Sequence, residues 1–493
     1  MRSAKDGERM KDYIIAIDQS TSASKVFLVD ENGRIVKRCT LAHRQSYPQP
    51  GYAEHDAEEI WRNVLTGIRT VAEGVEPERI AAISISNQRE TTVLWDRADG
   101  KPVMPAIVWQ DVRAEALCAQ MQAHAELVKA RTGLDLSAYY PAAKAMHALR
   151  NNPELYERAK NGEICIGTID SFLIFRMTEG KVFGTDVSNA SRTSLMNLET
   201  LGWDEELCEL FGIPMDCLAR ILPSDGDFGT MAENGLPITG VMGDSHAALF
   251  GQGCLVPGMT KATFGTGSSV MMNVGKRPVY STSGLSACVG FGFAGSTHYV
   301  LEGNITCSGD TLIWLRDEAQ MVDSVDEVET IAKTVSDTNG VYLVPAFSGL
   351  GAPYFDGKAR AALIGMNRGT TRAHIVRAAL ESMAYQDADV LLAMERDTGR
   401  TIDSLHADGG PAGNALLMQM MSDLAGCSVR CTEQSELSAL GTAYMAGLAT
   451  GVYASFESIP AVSAPGKSYH PAMPAETRKD KLAAWQDAVR RCR

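Results

Sequence analysis

The sequence predicts an α/β protein built as two large domains, and three observations carry that prediction. At 493 residues the chain is too long for one hydrophobic core. A short apolar run, a small polar turn and a returning apolar run occur near residue 18 and again near residue 265. From residue 370 onward, long helical stretches dominate. A repeated strand–turn–strand opening followed by helices reads as two similar α/β halves, with a boundary near Val256-Pro-Gly258.

The elements follow in order. Residues 1–10 are polar and charged and read as a disordered leader with no signal-peptide core. The first domain is expected over 11–256 and the second over 257–493. Tyr13-Ile-Ile-Ala-Ile-Asp18 is a strand, Gln19 to Ser24 a polar turn and Val26 to Val29 a second strand, with Gly33 turning the chain into the third strand of a meander. Ile80 to Ser86 and Thr91 to Trp95 read as strands around the polar corner Asn87-Gln-Arg-Glu90. Residues 112–131 and 142–160 read as helices. Thr260 to Phe264, the turn Gly265-Thr-Gly267 and Ser269 to Val274 form the second hairpin. Arg372 to Arg396, Ala415 to Leu424 and Glu436 to Leu448 follow as helices, and a basic helix, Glu476 to Arg493, ends the chain.

Bulk composition narrows the function classes. Hydrophobic content of 45% and charged content of 22% are those of an ordinary globular protein. A net charge of −14 argues against nucleic acid or an anionic membrane as partner. It does not argue against ATP, since a few local N–H donors and one cation can hold phosphates in an acidic protein. No apolar run approaches the length of a membrane span. The eleven cysteines are scattered, and the close pair Cys427 and Cys431 lacks zinc-site spacing, so buried thiols in a reducing cytoplasm are expected.

Three segments carry chemistry. Asp18-Gln-Ser-Thr-Ser-Ala-Ser-Lys25 places a carboxylate at a strand end and crowds hydroxyl donors into the following turn, which suits phosphate and Mg2+, although read alone an ordinary Ser/Thr-rich hairpin is the favoured reading. Phe264-Gly-Thr-Gly-Ser-Ser269 lets backbone approach a ligand closely, or simply turns a hairpin. Ala407-Asp-Gly-Gly-Pro-Ala-Gly-Asn414 stands between a strand-like run, Ile402 to Leu405, and a helix, a junction suited to phosphate or nucleotide. None has dinucleotide or P-loop spacing.

In this order the three segments resemble the ATPase core shared by actin, Hsp70 and sugar kinases. Within that group the chain resembles the FGGY carbohydrate kinases, and among them the glycerol kinase branch, from about Tyr13 to the final helix. The carriers are the runs 16–19, 87–92, 106–110, 189–193, 247–252 and 345–354, together with a later signature from Ala361 through Gly365 and His374 to Glu381. An earlier signature, Tyr139 to Lys144, fits in part, with His147 where the family usually carries Trp. The resemblance implies two actin-like ATPase (ribonuclease H-like) domains with an interdomain active-site cleft. It also implies an ATP- and Mg2+-dependent kinase that phosphorylates a terminal hydroxyl of a small polyol or sugar.

Residue by residue, the resemblance makes Asp244 the catalytic base. Arg89 and Glu90 become the clasp for neighbouring substrate hydroxyls, and Trp109 and Tyr139 the apolar wall and a further hydroxyl contact. Thr21, Ser22 and Lys25 match the first phosphate turn and Thr266 the second. Gly309, Gly410 and Asn414 match positions around the phosphates and adenosine. Asp18 would position Mg2+ through water. Read alone, Asp244 could equally be a helix N-cap, Arg89 and Glu90 a surface ion pair, and Trp109 core.

The chain also departs from the glycerol kinases. Ser245 stands where they carry Gln, Ser269 replaces an aromatic against the glycerol carbons, and Ile313 replaces a Gln near the nucleotide. His246 becomes either an added sugar contact or a core histidine. Loss of bulk favours a four- or five-carbon polyol or ketose over glycerol, with a glycerol kinase forming glycerol 3-phosphate as the alternative. The segment Phe228 to Gly240 lacks the loop through which some bacterial glycerol kinases bind fructose bisphosphate, so no such control is expected. A homodimer is left open. The rival from a different class is a non-catalytic ATP-binding scaffold in the manner of actin or Hsp70.

Overall fold

The computed structural model describes residues 11–432, 434–462 and 466–493, so the leader expected over residues 1–10 lies outside the described residues. The chain forms two compact units: Met1–Gly253 with Cys288–Tyr299 and Glu436–Ala464, and Cys254–Ala287 with Val300–Ser435 and Pro465–Arg493, counting the described residues of each. The expected division at 256/257 is a single cut, whereas the chain re-enters the first unit twice.

The first unit is built on a five-stranded sheet in the order Ile238–Gly243, Ile80–Asn87, Tyr13–Gln19, Ala23–Val29, Ile35–Ala42. Its first three strands are parallel, and the last three form the expected antiparallel meander. Tyr13–Gln19 is covered on both faces and so reads as a continuous apolar run. Ile35–Ala42 alternates half-buried and exposed positions, the pattern of an edge. The corner after Asn87 carries the chain out of this sheet, and Thr92–Asp96 joins a second five-stranded sheet that is antiparallel throughout.

The expected helix over 112–131 breaks at Met121 into Glu115–Gln120, a short 3-10 turn and Ala125–Thr132. That over 142–160 divides into Pro141–Arg150 and Pro153–Lys160. The second break has a local cause: Asn152 caps the new helix by accepting from Leu155 N, and proline at its first position disfavours helical backbone in the residue before it.

Helix Leu437–Thr450 packs in the first unit against Ile80–Asn87 and helix Asp244–Gly251. A Cβ at Gly441 would fall 1.9 Å from the Ala247 carbonyl oxygen, and one at Gly251 would fall 2.8 Å from that of Leu437. Only glycine permits two backbones to meet at that separation.

In the second unit, Ser268–Gly275 returns antiparallel to Thr260–Phe264, which pairs in parallel with Ser404–Gly409; that strand pairs in parallel with Ser428–Cys431. The sequence hairpin–first strand–parallel strand–parallel strand therefore occurs in both units. The 27-residue helix Arg372–Thr398 is the longest helix described in this unit. No described helix is long and apolar enough to cross a membrane. All eleven cysteines are free thiols.

Candidate functional site

Asp18 is the penultimate residue of its strand, with Lys25 opposite it in the hairpin and Ser86 beside it on the parallel neighbour. Ser86 Oγ donates to Asp18 Oδ1 at 3.0 Å. Lys25 Nζ stands 3.9 Å from Asp18 Oδ2 but donates to Glu436 Oε2 at 2.7 Å. Burial pushes the Asp18 carboxyl up to about 6, with Lys25 pulling the other way and the carboxylates of Asp244 and Glu436 adding to the rise. Glu436 takes a positive φ of 61° just ahead of helix Leu437–Thr450, a conformation uncommon outside glycine.

Asp244 is the first residue of helix Asp244–Gly251, with Gly243 in the cap position. Its Oδ1 lies 3.1 Å from Arg89 Nε and accepts from its neighbour's backbone N–H, that of Ser245, at 2.7 Å. Arg89 Nη2 donates to Ser245 Oγ at 3.3 Å. The Arg89 side chain is 6% exposed and that of Asp244 37%, so a buried cation steadies a reachable carboxylate. Gly243 makes room for this pair, since a Cβ there would lie 2.7 Å from Arg89 Cγ. His246 is fully buried, with Nε2 3.5 Å from Cys288 Sγ.

Glu90 turns the polar corner with φ 60°, and its Oε1 accepts from Arg192 Nε at 2.6 Å. Behind the corner, Asn87 and Asn189 exchange side-chain hydrogen bonds of 3.0 Å in both directions. Asn189 also donates to Asp186 Oδ1 at 2.8 Å, and Ser188 Oγ accepts from Gly243 N at 3.0 Å. Ser188 and Asn189 thus brace the ends of the two strands that lead into Asp244 and Arg89.

Trp109 and Tyr139 meet edge to face with ring centroids 5.9 Å apart. Trp109 Nε1 donates to Thr21 Oγ1 at 3.0 Å, which joins the aromatic wall to the first polar turn. Thr21 is half-buried and Ser22 exposed. Tyr139 is held from below by Lys144, whose ammonium donates to the carbonyls of Ala138, at 2.8 Å, and Tyr139.

In the second unit, Thr266, Gly309, Gly410 and Asn414 line one cavity of about 600 Å3, together with Asp310, Ile313 and Glu329 among others. Two close backbone approaches hold the segments beside it together. Gly309 N donates to Gly265 O at 3.0 Å, and Gly409, with φ 94°, would place a Cβ 1.9 Å from Phe264 O. Asn414 caps helix Ala415–Ala425 by accepting from Leu417 N at 2.9 Å. Ser269 is not part of this lining: its Oγ accepts from Lys261 Nζ and donates to Glu302 Oε1, each at 3.3 Å.

Within the first unit, contacts link Asp18 with Lys25, Arg89 with Asp244 and Ser245, and Thr21 with Trp109 and Tyr139. The partners that sequence reading left without a role are Glu436 to Lys25, Arg192 to Glu90 and Lys144 to Tyr139. Arg192 and Lys144 lie inside runs that carry the family resemblance, which is the signal that could have singled them out.

Residues 13–251 match the N-terminal domain of the FGGY family of carbohydrate kinases, and residues 260–450 match its C-terminal domain. Over 491 residues the chain is 45% identical to a glycerol kinase of Symbiobacterium thermophilum, covering 98% of this chain and 99% of that one. It is 42% identical to glycerol kinase 2 of Thermotoga maritima, with 97% and 98% covered. The structure of Plasmodium falciparum glycerol kinase with ADP superposes with a TM-score of 0.93 at 36% identity, covering 98% of both chains. A xylulose kinase from Lactobacillus acidophilus, at 22% identity and TM-score 0.86 over 97% of this chain and 96% of that one, shares the fold.

Proposed function

Because the chain belongs to the FGGY family of carbohydrate kinases, we propose that it transfers the γ-phosphoryl group of ATP to a terminal hydroxyl of a small polyol or ketose, with Asp244 as general base. The observation that carries this is the Arg89–Asp244 pair, a reachable carboxylate fixed 3.1 Å from a buried guanidinium. A carboxylate so held accepts the proton of the attacking hydroxyl as the new O–P bond forms and keeps that oxygen in line with the phosphorus. Arg89 and Glu90 then hold neighbouring hydroxyls, one donating and one accepting, while Trp109 and Tyr139 cover the carbon chain.

On the nucleotide side, Thr21, Ser22 and Lys25 are assigned to the phosphates. So is Thr266, with Gly309, Gly410 and Asn414 around the phosphates and adenosine. The cavity these last four help to line supports the assignment. Asp18 suits a hydrated Mg2+, which takes one or two carboxylates beside substrate phosphates, because it is a desolvated carboxyl beside the phosphate turn. When bound, Mg2+ would neutralise phosphate charge. The eleven free thiols support a cytoplasmic location.

Ser245 and Ser269, small and hydroxylic, favour a four- or five-carbon substrate. Glycerol itself is the second reading, favoured by the names of relatives 42–45% identical to this chain. The test is ADP release from the purified enzyme with MgATP and a panel running from glycerol through tetritols and pentitols to pentuloses. At least one member is expected to stimulate release, and its rank against glycerol decides between the readings. Asp244→Asn should lower kcat by about 10²–10⁴ with the KM for ATP little changed. No stimulation by any member of the panel would end the kinase reading.

A further inference from the structure

We infer that Arg192 is a positioning residue for substrate recognition, setting the acceptor carboxylate of Glu90 and, through Tyr140, the neighbouring aromatic wall; this rests on the polyol-kinase reading above. Glu90 and Arg192 are both buried, at 2% and 1% exposure, and meet at 2.6 Å between Oε1 and Nε. A carboxylate accepts at both oxygens, about four lone-pair sites in all, so one charge-assisted bond can fix its orientation and leave capacity for substrate hydroxyls. The corner itself gives Glu90 little choice of direction, because its backbone is held at φ 60°.

Arg192 is itself held in place. Its backbone N–H donates to Asn189 O at 3.0 Å, and the next residue, Thr193, accepts from Ala142 N at 2.9 Å. That second bond ties the arginine's loop to helix Pro141–Arg150, whose cap residue is Tyr140. The guanidinium carbon lies 5.2 Å from the Tyr140 ring centroid, and Tyr140 meets Tyr139 edge to face at 5.2 Å. One side chain therefore touches the hydroxyl acceptor directly and reaches the aromatic wall through one intermediate ring. Lysine could supply the charge but not the planar fork that bonds Glu90 while lying over Tyr140.

The test compares wild type, Arg192→Lys, Arg192→Met, Glu90→Gln and the double variant Arg192→Met/Glu90→Gln, reading kcat and both KM values on the best substrate of the panel. Arg192→Met should raise the polyol KM by about tenfold or more while the KM for ATP stays within about twofold. Arg192→Lys should recover part of that loss, and the double variant should lose clearly less than the product of the two single losses, since part of what Arg192 does passes through Glu90. A polyol KM unchanged in Arg192→Met, equal rises in both KM values, or losses from the two single changes that multiply would each overturn the inference. Should Arg192→Met fail to fold, Arg192→Lys carries the test, and an unchanged polyol KM in it overturns the inference alike. A wild type that no polyol stimulates overturns the underlying reading and this inference together. An active wild type with a silent Arg192→Met overturns this inference alone.

Discussion

Lys144 is fully buried, and its ammonium is spent on two backbone carbonyls, those of Ala138 and Tyr139. Burial pushes its pKa down to about 7, with the carboxylates of Glu90 and Asp111 opposing that shift. A lysine whose folded pKa is depressed binds its proton more weakly in the native chain than in the unfolded one. Stability from this group therefore rises with pH between about 7 and the unfolded value near 10.5. Cysteines and tyrosines also titrate in that range, so the informative quantity is wild type minus Lys144→Met. That difference should move in favour of wild type by about 2 kcal/mol between pH 7 and pH 9, read from denaturant midpoints. A difference that stays flat would mean that Lys144 keeps its proton throughout. Single residues were unevenly legible in the sequence. Asp18 stands in a hydroxyl-rich turn that its own composition singles out, whereas only the family resemblance picks out Arg89, Glu90 and Asp244. The pairings are not legible in either way, because Lys25 and Glu436 lie 411 positions apart and Glu90 and Arg192 lie 102 apart. No local pattern encodes a contact made only by the fold.

Among the elements, strands were the most legible, because parallel strands covered on both faces leave unbroken apolar runs such as Tyr13–Gln19 and Ile80–Asn87. Helix ends were less so. The break after Arg150 depends on one capping asparagine and one proline that a 3.6-residue pattern passes over. Helix Leu437–Thr450 was legible as a helix but not in its placement. It is apolar nearly all round, which says that it is buried and not against what. Its seat in the first unit is set by backbone proximity, with Gly441 against Ala247 and Thr442 accepting from Ser84 Oγ at 3.2 Å. Gly441→Ala should therefore cost about 1–3 kcal/mol through overpacking, although alanine is the better helix former. The check is the thermal midpoint of Gly441→Ala beside Gly451→Ala, where a Cβ meets nothing within 4 Å but φ is 79°. If Gly441→Ala is neutral or stabilising, the two helices can move apart and close approach is not what fixes them.

For the molecule as a whole, the repeated sheet order explains why two halves without matching letters could be read as one architecture twice. Thiol chemistry follows from how completely both units are packed. Nine of the eleven cysteines are buried, and Cys39 and Cys492 are half-buried. Burial pushes Cys118, Cys217, Cys307 and Cys431 up to about 11 and Cys165, Cys208, Cys254 and Cys427 up to about 12. The thiolate is the reacting form, so these groups lack both access and charge at neutral pH. An aromatic disulfide reagent at pH 8 should therefore titrate no more than the two half-buried thiols quickly in the native enzyme, and all eleven after unfolding in denaturant. Cys39→Ser should reduce the fast count, and the slow remainder should track opening of the structure as denaturant rises. Three or more fast thiols in the native protein would show that a buried cluster opens readily, and fewer than eleven after unfolding without reductant would show a disulfide.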